Sequence, residues 1–86
     1  MIAAKRRTKT YRIWEIDRSN RQEGEVHQLG TARGRSFREA CRRYFRTLPK
    51  EDREYFHPRH LTYFGEPLFE TKGSADEYLT ELFFSY

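Results

Sequence analysis

A lone cysteine, Cys41, leaves this chain without an internal disulfide. Extracellular domains of this size usually depend on several such staples, so a reducing, cytoplasmic setting is expected. Aliphatic side chains are scarce as well. Leu, Ile, Val and Phe together supply 17 of the 86 residues, a share at which a chain risks being unable to bury enough surface to fold. No apolar run comes near the roughly 18 residues that cross a bilayer. Only Ile2-Ala3-Ala4 precedes the first basic residue, which is too short for the apolar heart of a secretion signal. These absences exclude disulfide scaffolds and helical membrane spans, and they predict a soluble protein with no membrane partner.

Aromatic residues offset the aliphatic shortage. Seven Phe, six Tyr and one Trp each bury a large area at modest entropic cost, so a compact aromatic core is expected. A chain of 86 residues makes one domain and buries only about 60% of its unfolded surface. The net charge of +4 hides a division. Residues 1–46 carry 13 Lys/Arg against 5 Asp/Glu, a net +8, and residues 47–86 carry 4 against 8, a net −4. Asymmetry of this kind bears on partners and orientation rather than on fold.

Residues 1–9 include Lys5, Arg6, Arg7 and Lys9 without hydrophobic periodicity and read as a flexible basic arm ahead of a single domain spanning 10–86. Thr10–Asp17 and Glu25–Arg33 are two extended runs around a loop-forming stretch, a hairpin. Its facing is ambiguous, because Tyr11 and Ile13 fall on one side and Trp14 and Ile16 on the other. Ser36 with Glu39 forms a capping box, and Phe37, Ala40, Cys41, Tyr44, Phe45 and Leu48 follow at helical spacing. Pro49 ends that helix, and Lys50–Phe56 adds a short helical turn that brings Tyr55 and Phe56 to the core edge. Leu61–Phe64 and Pro67–Thr71 flank Gly65-Glu66, which predicts a second hairpin with a type II′ turn. Ser74 with Glu77 repeats the capping box ahead of a second apolar stripe through Tyr78, Leu79 and Leu82. The expected fold is α+β in the order ββαββα, with a four-stranded, mostly antiparallel sheet and both helices packed on one face.

On the outer face of the first helix, Arg38, Arg42 and Arg46 stand at i, i+4 and i+8, with Arg43 beside them and Arg35 just before the cap. Like charges at that spacing repel, and Glu39 is placed to relieve only Arg43. With Arg33, Arg59 and the basic arm through Lys5, Arg6 and Arg7, the helix offers enough cations to contact several nucleic-acid phosphates. The guanidinium fork suits phosphate or carboxylate through two hydrogen bonds. Three readings follow. The stripe binds nucleic acid or a nucleoprotein. It docks on an acidic protein surface, as a regulator or inhibitor would. Or it pairs with the chain's own acids, Glu66, Glu70, Asp76 or Glu81, within the domain or across a homodimer. The N-terminus of the helix, with Arg33 and Arg35, is a further place for an anion.

Trp14, Tyr63 and Phe64 are candidates for base stacking, set against the need of the core for every ring. His57, His60, His27 and Cys41 lack the close-spaced pairs of a structural zinc site, so no metal or other cofactor is expected. Gly30-Thr-Ala-Arg-Gly34 lacks the Gly-Lys-Ser/Thr ending of a phosphate-cradling loop. Ser36 and Ser74 serve as caps and Cys41 lies on the apolar stripe, leaving no nucleophile, base and orienting acid that converge. The expected function is a non-enzymatic binding module.

Overall fold

The computed structural model describes residues 7–17 and 24–82 together with the backbone of residues 83–84. The described elements are β1 (Lys9–Asp17), β2 (Glu25–Gly34), α1 (Phe37–Arg46), α2 (Lys50–Arg53), β3 (Phe56–His57), β4 (Thr62–Tyr63), β5 (Glu66–Pro67) and α3 (Lys72–Phe84). The fold is α+β with antiparallel strands. Instead of one four-stranded sheet there are two sheets, a β1–β2 hairpin and a small β3–β4–β5 sheet. β1 starts at Lys9, opposite Gly34, and the arm residues Lys5 and Arg6 lie outside the described residues.

Turn chemistry explains why the expected single sheet divides. Pro58, Gly65 and Pro67 limit each strand of the second sheet to two residues, and Pro67 has no N–H to give to a longer ladder. Among the described residues the backbone hydrogen-bonded link to β1 is made by Phe69: Trp14 N–H donates to its carbonyl at 2.8 Å, and its own N–H donates to the Trp14 carbonyl at 3.0 Å. The β4–β5 turn sits one residue earlier than expected. Its central residues are Phe64 and Gly65, with φ of 53° and 81°, and two positive φ values are the type I′ pattern rather than type II′.

The ambiguous facing of β1 is resolved by a bulge. Ile13 pairs with Gly30 and Trp14 with Gln28, so β2 carries one extra residue, Leu29. Ile13 joins Cys41, Phe45 and Leu68 in the buried core, and Tyr11, on the same face of β1, meets Phe37 of α1 at 5.9 Å between ring centroids. Trp14 and Ile16 fall on the opposite face by strand alternation. There α3 places Tyr78 against Phe69, at 5.4 Å. Helices α1 and α3 each lie against the hairpin and share few contacts with each other, unlike the side-by-side pair expected.

The core is aromatic, as the composition implies. Phe45, 2% exposed, stacks on Phe56 at 4.1 Å with an interplanar angle of 7° and touches Tyr44 and Tyr63 at 5.2 and 4.8 Å. Phe56 reaches the core edge while Tyr55 stays outside. Gly34 lets α1 approach β2: a Cβ there would meet the backbone N of Ala40 at 2.6 Å. At α3 the cap is Thr71 rather than Ser74. The Thr71 hydroxyl accepts from Ser74 N–H at 3.1 Å, so the helix begins at Lys72.

Candidate functional site

α1 holds the arginines in place through its two ends. Ser36 takes an extended backbone, and its hydroxyl accepts from Glu39 N–H at 3.1 Å. The Glu39 carboxylate reaches back to accept from Arg35 N–H at 2.6 Å. At the other end the Thr47 hydroxyl donates to the Tyr44 carbonyl at 2.7 Å, and Arg43 and Arg46 in the last turn suit the negative end of the helix dipole. Ala40, Cys41 and Phe45 are buried beneath, which turns Arg38, Arg42 and Arg46 outward.

The structure sorts the predicted cations by what they already hold. Arg38 donates through Nη1 to the carbonyls of Pro58 and Arg59 at 2.7 and 3.1 Å. It ties α1 to the β3–β4 turn, and among the described residues it forms no ion pair with a carboxylate. Arg43 and Arg35 share Glu39, at 3.8 and 3.6 Å, so that acid relieves two arginines rather than the one expected. Arg43 also donates to the Arg33 carbonyl at 3.4 Å, and Arg33 donates to the Thr8 hydroxyl at 2.9 Å. The Arg35 backbone N–H, and after it the Arg43 and Arg35 charges, hold the Glu39 carboxyl below its usual range. Arg42 and Arg46 make no hydrogen bond or ion pair among the described residues. Arg59 and Arg7 are exposed.

Two adjoining grooves flank Arg42 and Arg46. The larger, about 360 Å³, is lined by Ser36, Arg38, Glu39, Arg42, Arg43 and Arg46. The smaller, about 180 Å³, adds Phe45, Arg53, Phe56 and Pro58 to the Arg42–Arg46 pair. Along the helix axis the pair is separated by about 6 Å, four residues at 1.5 Å each. One carboxylate, Glu39, thus sits among Arg38, Arg42, Arg43, Arg46 and Arg53, and the lining is strongly cationic. Comparison with protein-family models, with curated proteins and with solved structures returns no match. Function must be argued from these residues.

Arg53 was not singled out by spacing, because in Lys50-Glu51-Asp52-Arg53 it looks like one member of a self-neutralising run. Only the fold carries α2 alongside α1. At the N-terminus of α1, where an anion was expected, the Ser36 hydroxyl takes the Glu39 N–H and the Glu39 carboxylate takes the Arg35 N–H. Asp76, one of the acids considered as a partner for the stripe, pairs with Lys72 at 2.9 Å. Trp14 and Tyr63 are half-buried, whereas Phe64 is 60% exposed and lines neither arginine groove. His27 lies 2.9 Å from Glu25 and 3.4 Å from Asp17. Cys41 is buried, and desolvation pushes its thiol up to about 12. Among the described residues no three His, Cys, Asp or Glu side chains are placed to hold a metal, and no helix is long and apolar enough to cross a membrane.

Proposed function

We propose that the outer face of α1 is the contact surface of a small, non-enzymatic module that binds nucleic acid or a nucleoprotein assembly. The observation that carries this reading is the pair Arg42 and Arg46, two guanidinium groups one helical turn apart, without partners among the described residues and shared by two adjoining grooves. A phosphodiester backbone presents anions at regular intervals, and each planar fork can take two phosphate oxygens. Arg38, already fixed by two carbonyls, supplies a positioned charge beside them. Arg53 supplies another across the smaller groove.

Contacts of this kind go to the backbone and carry no sequence preference. The rings at the smaller groove, Phe45 and Phe56, lie stacked on each other and have little face left for a base. Ser36 is the one hydroxyl side chain lining the larger groove, and it is committed to the helix cap. The test is fluorescence anisotropy with labelled single- and double-stranded oligonucleotides at low salt. Wild-type protein binds irrespective of sequence, and changing both Arg42→Gln and Arg46→Gln weakens binding about tenfold or more. Equal affinity in the double variant rejects these residues as the contact. A partner protein presenting carboxylates would meet the same guanidinium groups, and its capture from lysate would survive nuclease treatment where capture through nucleic acid would not.

A further inference from the structure

The smaller arginine groove is held in shape by contacts of its own. Its floor is Phe45 and Phe56, stacked at 4.1 Å with an interplanar angle of 7°. Pro58 adds a wall, tied to α1 because Arg38 donates to its carbonyl at 2.7 Å. Arg53 comes from α2, which follows α1 after only Thr47, Leu48 and Pro49. Within that link Leu48 N–H donates to the Phe45 carbonyl at 3.2 Å, and Arg53 N–H donates to the Pro49 carbonyl at 3.1 Å. Arg42, Arg46 and Arg53 therefore share one concavity of about 180 Å³.

None of these three arginines makes a hydrogen bond or ion pair among the described residues, and no carboxylate is among the lining residues. Glu51, Asp52 and Glu54 flank Arg53 in sequence but do not line the groove. By contrast, the larger arginine groove carries Glu39, and a cavity of about 460 Å³ beside β4 and β5 carries Glu15, Asp17 and Glu66. The side chains of Phe45, Phe56 and Pro58 offer no acceptor to compete for the guanidinium groups. Three forks without an acid select the occupant. An internal phosphodiester carries a single negative charge and two free oxygens, which two guanidinium groups can already satisfy. A phosphate monoester carries a charge of about −1.5 to −2 at neutral pH and three acceptor oxygens, one for each fork.

We infer that the smaller groove holds the terminal phosphate monoester of a nucleic-acid strand, with Arg42, Arg46 and Arg53 donating to its free oxygens. This rests on the reading of the α1 face as a nucleic-acid contact and adds to it a preference for phosphorylated strand ends. The test is anisotropy of internally labelled single-stranded oligonucleotides of one sequence, with hydroxyl ends, a 5′-phosphate or a 3′-phosphate, titrated with the full chain. At least one phosphorylated form binds about tenfold more tightly than the hydroxyl form, and the arm that does so names the end. A hydroxyl-ended strand one nucleotide longer, which adds one phosphodiester, gains less than about twofold. Arg53→Gln, with unchanged circular dichroism, brings the phosphorylated and hydroxyl strands to within about twofold of each other, a ratio that a general loss of charge would not move. Wild type that binds all three strands equally overturns the inference and leaves the backbone contact standing, whereas wild type that binds no oligonucleotide overturns both. An Arg53→Gln variant that keeps the wild-type preference also overturns it. So does a short phosphoserine peptide bound more tightly than the phosphorylated strands, which assigns the groove to a phosphoprotein.

Discussion

The arginine face of α1 and the aromatic–acidic cavity beside β4 and β5 differ in how they are built. The first rests largely on one continuous helix, so its charges repeat at a spacing that sequence displays. The second is assembled from β1, β2, β4, the Phe64–Gly65 turn and β5, so its members are scattered along the chain. They also differ in how charge reaches them. Arg53 of the cationic grooves comes from the acidic half of the sequence, and Glu15 and Asp17 of the acidic cavity come from the basic half. Folding therefore carries a cation of the acidic half and acids of the basic half to different surfaces. Ion pairs of short sequence separation are among those it forms, such as Arg35 and Arg43 with Glu39 or Lys72 with Asp76. Charge division along a chain and charge division in space are distinct properties, joined only by topology.

The comparison is broken most thoroughly at Phe45, whose ring joins α1 to β3 and β4 through Phe56 and Tyr63. Phe45→Ala should cost about 3–5 kcal/mol in urea denaturation and abolish oligonucleotide binding. A variant that keeps it would show the arginine face to be supported independently of β3 and β4. Gly34→Ala is the next largest change. Its new methyl would meet the Ala40 backbone at 2.6 Å, which cannot swing aside as a side chain can, and the expected loss is about 1–3 kcal/mol. Because the displacement falls on α1, oligonucleotide binding should weaken with it.

Arg38→Gln sharpens the comparison by separating anchoring from charge. Losing two carbonyl contacts at an exposed site should cost about 1 kcal/mol in the same denaturation measurement, whereas Arg42→Gln, which loses no hydrogen bond or ion pair among the described residues, should leave stability unchanged or slightly raised as like charges part. The smallest effect concerns pH. The folded Glu39 carboxyl is held below the usual range, so its contribution is complete above the ordinary glutamate pKa and disappears as pH falls through the lowered folded value. Helical circular dichroism followed from neutral pH down to about pH 2 should show a loss in wild type that Glu39→Gln lacks.

Helix α1 was legible in the sequence because its cap, its apolar stripe and its terminating Pro49 all agree. The hairpin was legible too, since Tyr11, Ile13, Trp14 and Ile16 could only be extended. Its facing was not, because a bulge at Leu29 is a property of pairing rather than of either strand alone. The second sheet was overestimated. Leu61–Phe64 and Pro67–Thr71 have strand-like composition, yet Leu61 and Phe64 adopt positive φ and end the strands where propensity would have continued them. The arginine stripe was visible from spacing, but its division into anchored Arg38, shared Arg35 and Arg43, and unpartnered Arg42 and Arg46 depends on where Pro58, Arg59 and Glu39 come to lie. The aromatic–acidic cavity left no sequence signal, as its parts come from β1, β2, β4, β5 and the turn between the last two.

The central claim is that Arg42 and Arg46 stand ready to displace counterions from a phosphate backbone. The salt dependence of oligonucleotide affinity measures this directly. Converting both to Gln should reduce the magnitude of the slope of log affinity against log salt by about 2, one for each lost phosphate contact. A slope identical to that of wild type would contradict the account.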